Sequence, residues 1–194
     1  MTSSEAEIKS EILEMIADSN SLRKSREYCA RFFCDNQQYL NILFDCAFDV
    51  DYDYHYKACW ILEFVADLDL SLLSPRIPDL CNALSKYSHD GALRSIGRIC
   101  LLLCQKNYRS AAAVLSNDQA KIFTDVSFAW LLGDSKVATK AYAMRILALN
   151  SKTDKSVVIP LKDAIEHGYP NHSAAYKAAA KDVLRQLSRD NLLS

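Results

Sequence analysis

Apolar side chains return every three or four residues along almost the whole chain, the spacing of one face of an α-helix. Over 54–69 they fall at Ala58, Ile61, Leu62, Val65 and Leu68; over 89–104 at Ile96, Ile99, Cys100 and Leu103. Over 172–188 they fall at Tyr176, Ala180, Val183, Leu184 and Leu187. Polar start and stop signals separate the stripes: Asp134 before "SKVATKAY", Asn171 before "HSAAYKAA", and "HGYP" at 167–170. The pattern predicts about ten helices with short connections. The one long joint is 105–117, "QKNYRSAAAVLSN". In the segment after residue 49, Asp51 or Asp53 is expected to cap the helix that carries Trp60.

Two prolines fall inside the helical pattern, Pro78 in "RIPDL" and Pro160 in "VIPLK", each directly after an isoleucine. A proline in a helix interior removes a backbone hydrogen bond and clashes with the preceding turn, at a cost of ~3 kcal/mol. The expectation is that each kinks the first helix of a helix pair, with Ile159 overlaying Ile77.

The helices also repeat. The stretches "YKACWILEF" (56–64), "LRSIGRICL" (93–101), "TKAYAMRIL" (139–147) and "YKAAAKDVL" (176–184) share a basic residue, then a small one, then a large apolar one seven positions after the basic. The basic residues are Lys57, Arg94, Lys140 and Lys177, spaced by 37, 46 and 37 residues. The long interval contains 105–117, which reads as an insertion between repeats. This predicts an all-α chain folded as one domain over 1–194, an α-α superhelix of about five helix pairs.

The second-helix pattern resembles the HEAT and ARM class of helical repeats, whose period of roughly 35–47 residues it fits. More narrowly, "KACWILEFV" (57–65), "KVATKAYAM" (136–144) and "SAAYKAAAKDVL" (173–184) resemble a family of short helical-repeat proteins from Bacteroidetes. Its members often carry the automatic name adenylosuccinate lyase. The lyase loop, of the form Ser-Ser-x-Met-Pro-x-Lys-x-Asn, has no counterpart: the one Ser-Ser pair, Ser3–Ser4, is followed by "EAEIK" and no Met-Pro occurs.

Composition narrows the function classes. The longest apolar runs, such as "ICLLLC" at 99–104, are far shorter than the ~20 residues that cross a bilayer. "MTSSEAEIKSEIL" lacks a basic leader and an apolar core, so no export signal is expected. The seven cysteines follow no framework spacing, which points to reduced thiols in a cytoplasm. Cys100 and Cys104 share a helix face as metal ligands would, but no zinc spacing completes the set and buried thiols are expected.

Asp49, Asp51 and Asp53 open like a calcium loop, yet Tyr54 and Trp60 occupy the positions that need glycine and glutamate. Tyr52, Tyr54 and Tyr56 remain as a candidate aromatic patch. No His-Glu-x-x-His, Gly-x-Ser-x-Gly or phosphate-cradling loop is present, so no catalytic residue, metal or cofactor is expected.

Two readings of Lys57, Arg94, Lys140 and Lys177 stay open: a concave binding stripe for an anionic ligand, or a pairing of each with an acidic or capping group of a neighbouring turn that holds adjacent repeats in register. The expected function is a non-enzymatic module that binds a protein or peptide. The alternative is a DNA-binding or DNA-glycosylase-type protein of the HEAT-like alkylation-repair class, with Trp130 and Asp125 or Asp134 at its centre. A pI near 6.4 argues against nucleic acid. Charge is uneven: residues 1–133 carry 13 basic and 18 acidic side chains, residues 134–194 carry 10 and 6.

Overall fold

The computed structural model describes residues 3–192, and every regular element among them is helical. The α-helices are α1 Ser3–Asp18, α2 Arg23–Asp35, α3 Leu40–Phe48, α4 His55–Leu68 and α5 Ile77–Ala83. They continue as α6 Asp90–Arg109, α7 Asn117–Leu132, α8 Val137–Asn150, α9 Val158–Gly168 and α10 Ala174–Arg189. Contacts divide the chain into two compact units, 1–96 and 97–194, with the division inside α6.

Each unit is organised around one helix. In the first, α4 packs against α1, α2 and α3. Its stripe of Ala58, Ile61, Leu62 and Val65 is fully buried, as are Ile16 of α1, Phe33 of α2 and Leu43 of α3. In the second, α8 packs against α7, α9 and α10, with Ala143, Met144 and Leu147 buried alongside Phe123, Leu161, Ile165 and Leu187. Burying each large aliphatic side chain contributes about 1.5–3 kcal/mol, so these stripes, rather than helix propensity, hold the elements in place.

The prolines start helices; they do not kink them. Pro78 is the second residue of α5 and Pro160 the third of α9. First-turn amides have no intrahelical acceptor, so a missing donor costs nothing there. Each helix is entered through a 3-10 segment, Leu70–Arg76 and Lys155–Val157. Each segment opens on an aspartate whose Oδ1 accepts from the amide and the hydroxyl of the serine two residues on. Asp69 takes the Ser71 amide at 2.9 Å and its Oγ at 2.5 Å; Asp154 takes the Ser156 amide at 3.0 Å and its Oγ at 2.6 Å.

The expected overlay of Ile159 on Ile77 is off by one residue. Ile77 is 3 % exposed whereas Ile159 is 70 % exposed. Val158 takes the buried place, so Ile77, Leu80 and Leu84 match Val158, Leu161 and Ile165, each set spaced by three and seven positions.

Other boundaries also moved. Lys136 rather than Asp134 precedes α8, and Ser173 rather than Asn171 caps α10, accepting from the Tyr176 amide at 3.4 Å. Tyr54 stands at the start of α4, so neither Asp51 nor Asp53 caps it. Within 105–117, residues 105–109 complete α6 and Asn117 begins α7. The joint that remains folds back on Asn107, whose Oδ1 accepts the amides of Val114 (2.8 Å) and Leu115 (2.9 Å). Ser116 and Gln119 then form a reciprocal capping box on α7.

Candidate functional site

The four ladder residues divide three to one. Lys140 is 6 % exposed, and its Nζ donates to the Leu131 carbonyl at 2.9 Å and the Gly133 carbonyl at 2.6 Å, closing the end of α7. Lys57 Nζ donates to the carbonyl of Ala17 in the last turn of α1 and lies 5.1 Å from the Tyr54 ring centre. Lys177 Nζ donates to the Pro170 carbonyl at 3.4 Å, just beyond the end of α9, and lies 5.6 Å from the Tyr169 ring centre. The last carbonyls of a helix lack intrahelical partners and carry the negative end of its dipole, so an ammonium there satisfies both needs. Arg94 is exposed and makes no such bond among the described residues.

Burial pushes the Lys140 ammonium below its ordinary value of 10.5, against an opposing pull from Asp134. A cation with two carbonyl acceptors and little exposed surface is structural in its surroundings.

The tyrosine-rich stretch builds an aromatic knot in the first unit. The Tyr56 ring stacks on His89 at 4.2 Å and meets Trp60 edge-on at 5.1 Å. His55 lies 5.9 Å from His89. Three of its rings are tied to the backbone. Trp60 Nε1 donates to the Gly91 carbonyl at 3.2 Å, and His55 Nδ1 donates to the Tyr52 carbonyl at 2.9 Å. His89 Nδ1 accepts the Gly91 amide at 3.1 Å, which places it as the cap of α6. Of the three tyrosines, Tyr54 alone is classed as exposed. The knot ties the starts of α4 and α6.

Cys100 and Cys104 are buried, and burial pushes the Cys104 thiol up to about 12. Cys59 is pushed up to about 12 as well, while its Sγ donates to the Ala47 carbonyl. Among the described residues no group of three or more His, Cys, Asp or Glu is placed to hold a metal. Nor is any described helix long and apolar enough to cross a membrane. Trp130 is 7 % exposed and so offers no stacking face. Asp125 sits on the outer side of α7, paired with Lys121 at 3.1 Å.

The second unit holds an open groove of about 660 Å³. One wall is α7, presenting Asn117, Asp118, Lys121, Thr124, Asp125 and Phe128. The other runs from Asn150, at the end of α8, through Thr153, Asp154, Ser156 and Val157 to Pro160 of α9. Asn150 Nδ2 ties the walls together, donating to Thr124 Oγ1 at 2.9 Å and the Ala120 carbonyl at 3.3 Å. Of these residues the sequence singles out Asp125 and Pro160, each for another purpose. The signal for the rest is the Asp-x-Ser entry at 154–156, which places a carboxylate where one helix ends and the next begins. Neighbouring clefts of about 520 and 410 Å³ share Lys155, Asn191 and Leu192, and neither is lined by α7. No protein-family model matches the chain, and no curated protein or solved structure matches it either.

Proposed function

We propose that this chain is a non-enzymatic interaction module of the HEAT-like kind, an α-α superhelix of about five helix pairs that receives a protein or peptide segment. The observation that carries this reading is the groove of the second unit, a trough whose side-chain amides, hydroxyls and carboxylates come from α7, the end of α8 and the turn that leads into α9. Such a surface suits an extended chain, which brings alternating backbone donors and acceptors, better than a compact small molecule. The repeated construction supports it too: each unit rests on one central helix whose lysine, Lys57 or Lys140, closes the end of another. With those ammonium groups committed internally, recognition falls to the groove rather than to the lysine ladder.

Selection of a random peptide display library on the purified protein tests the reading. The expected result is an enriched consensus whose synthetic peptide shifts the backbone amides of Thr124, Phe128 and Thr153 in a titration followed by NMR. A library that yields no consensus, or a consensus peptide that leaves those amides unmoved, overturns it.

A further inference from the structure

The second unit carries 14 basic and 8 acidic side chains, an excess of six positive charges. Its groove has the opposite sign. Asp118, Asp125 and Asp154 line it against Lys121 alone, and Lys121 is already paired with Asp125. Local charge that runs against the surrounding field selects its partner by sign, since like charges brought together across an interface are penalised. Asp154 commits only Oδ1, to Ser156, and no hydrogen bond to its Oδ2 is made among the described residues. Those same bonds from Ser156 hold its carboxyl below the usual carboxylate range, so it stays ionised at neutral pH. Between the acidic positions lie apolar surfaces: Phe128, half-buried on one wall, and exposed Pro160 on the other, above the buried Val157. A lysine or arginine side chain has matching chemistry, an apolar stem for the walls and a charged head for the carboxylates.

We infer that the groove between α7 and the α8–α9 turn seats an extended segment of a partner protein that carries lysine or arginine. This rests on the interaction-module reading and adds the partner's charge to it. The segment lays its backbone along the Asn150–Thr153 wall, with one basic head against Asp154 and another toward Asp118 and Asp125.

Three fluorescein-labelled nonapeptides test it: Gly-Ala-Leu-Lys-Ala-Arg-Leu-Ala-Gly, a twin with glutamate at both basic positions, and a twin with glutamine there. Each is titrated by anisotropy at low and high salt and by NMR against the full chain. The expected result is that the basic peptide binds, weakens as salt rises, and shifts the amides of Thr124, Phe128 and Thr153. The double variant Asp125→Asn/Asp154→Asn should weaken it about fivefold or more. Asparagine at 154 keeps a cap acceptor for Ser156, so the variant removes charge without removing the turn. The charge-reversal variant Asp125→Lys/Asp154→Lys should prefer the glutamate twin. The inference is overturned by basic-peptide shifts outside the groove, or by equal binding to the wild type and the asparagine variant. If the glutamate or glutamine twin shifts the groove amides as strongly, the module reading stands and the basic partner is wrong. If none of the three shifts any amide while the library consensus does, the inference alone fails; if the library is silent too, both fail.

Discussion

At the scale of single residues, the lysines show how one sequence feature serves different depths of burial. Lys140 has two carbonyl acceptors and almost no exposed surface, whereas Lys177 makes one long bond at a half-exposed site. Replacing Lys140 with methionine keeps the stem but leaves the end of α7 uncapped, and should lower stability by about 2–3 kcal/mol. Lys177→Met should cost less than about 1 kcal/mol, within the usual range for a partly exposed helix-end charge. Arg94→Ala, at an exposed position, should stay within about 0.5 kcal/mol. Chemical denaturation of the three variants checks the order, and equal losses would refute the capping account. Gly168 is a further sensitive point. A Cβ there would come within 2.5 Å of the buried Tyr176 hydroxyl, so Gly168→Ala should destabilise although alanine is the better helix former. Rescue by Tyr176→Phe, which removes that oxygen, would show the clash to be the cause.

At the scale of elements, the sequence was most legible where the apolar stripe was long and least legible at helix starts. The stripes of α4, α6 and α10 stand as read, apart from exposed Leu68 at the end of α4, because burying a row of apolar side chains overrides local preference. The starts were misjudged because one short polar residue near a boundary looks much like another. Asp134 lost to Lys136 and Asn171 to Ser173, although Asp and Asn are good caps in isolation. The prolines look like kinks in the sequence for a related reason: the two 3-10 entries are themselves helical turns, so the periodic pattern begins before the α-helix does. Once the first turn is placed correctly, proline is suited to it. Pro78→Ala and Pro160→Ala should each change stability by no more than about 1 kcal/mol, in the destabilising direction, because alanine frees the unfolded chain. Asp69→Ala should cost about 0.5–2 kcal/mol, as loss of a helix-entry cap does, and Asp154→Ala should lower the melting temperature in the same direction. Thermal melts of the four variants decide the point, and a clear gain in stability on replacing either proline would restore the kink. The groove is hard to read from the sequence because one wall is a turn, where periodicity carries no information, and the other is the polar side of α7, which looks like any solvated face.

At the scale of the whole molecule, the charge of the chain is close to zero only because two unlike units cancel. The first unit carries 9 basic and 16 acidic side chains and the second 14 and 8. Neither composition nor pI reveals this, and the acidic groove within the basic unit is a finer inversion still. Alkaline titration reads a different property of the fold, its buried thiols. Cys59 and Cys104 are both pushed up to about 12 by burial, from an ordinary value of 9.0. Below 9.0 they are neutral in folded and unfolded chains alike, so their contribution is fully present. Between 9.0 and about 12 the unfolded chain releases these protons while the folded chain retains them, so stability falls as pH rises through that window. Lys140 acts in the opposite sense: its lowered value means that the folded chain sheds that proton first, adding stability as pH rises toward 10.5. The buried thiols, with Cys46 pushed up to about 11 acting in the same sense, should outweigh one amine, and the melting temperature should decline from about pH 9 to about pH 11. In the Cys59→Ala/Cys104→Ala variant the starting stability is lower, but the decline over the same interval should be shallower. Thiol-reactive dyes provide the parallel measurement. Both cysteines should resist labelling in the folded chain at mildly alkaline pH and react promptly in denaturant, because the reactive species is the thiolate and burial suppresses it. Rapid labelling of either under native conditions, or an unchanged pH slope in the double variant, would mean that these thiols are not held neutral by the core.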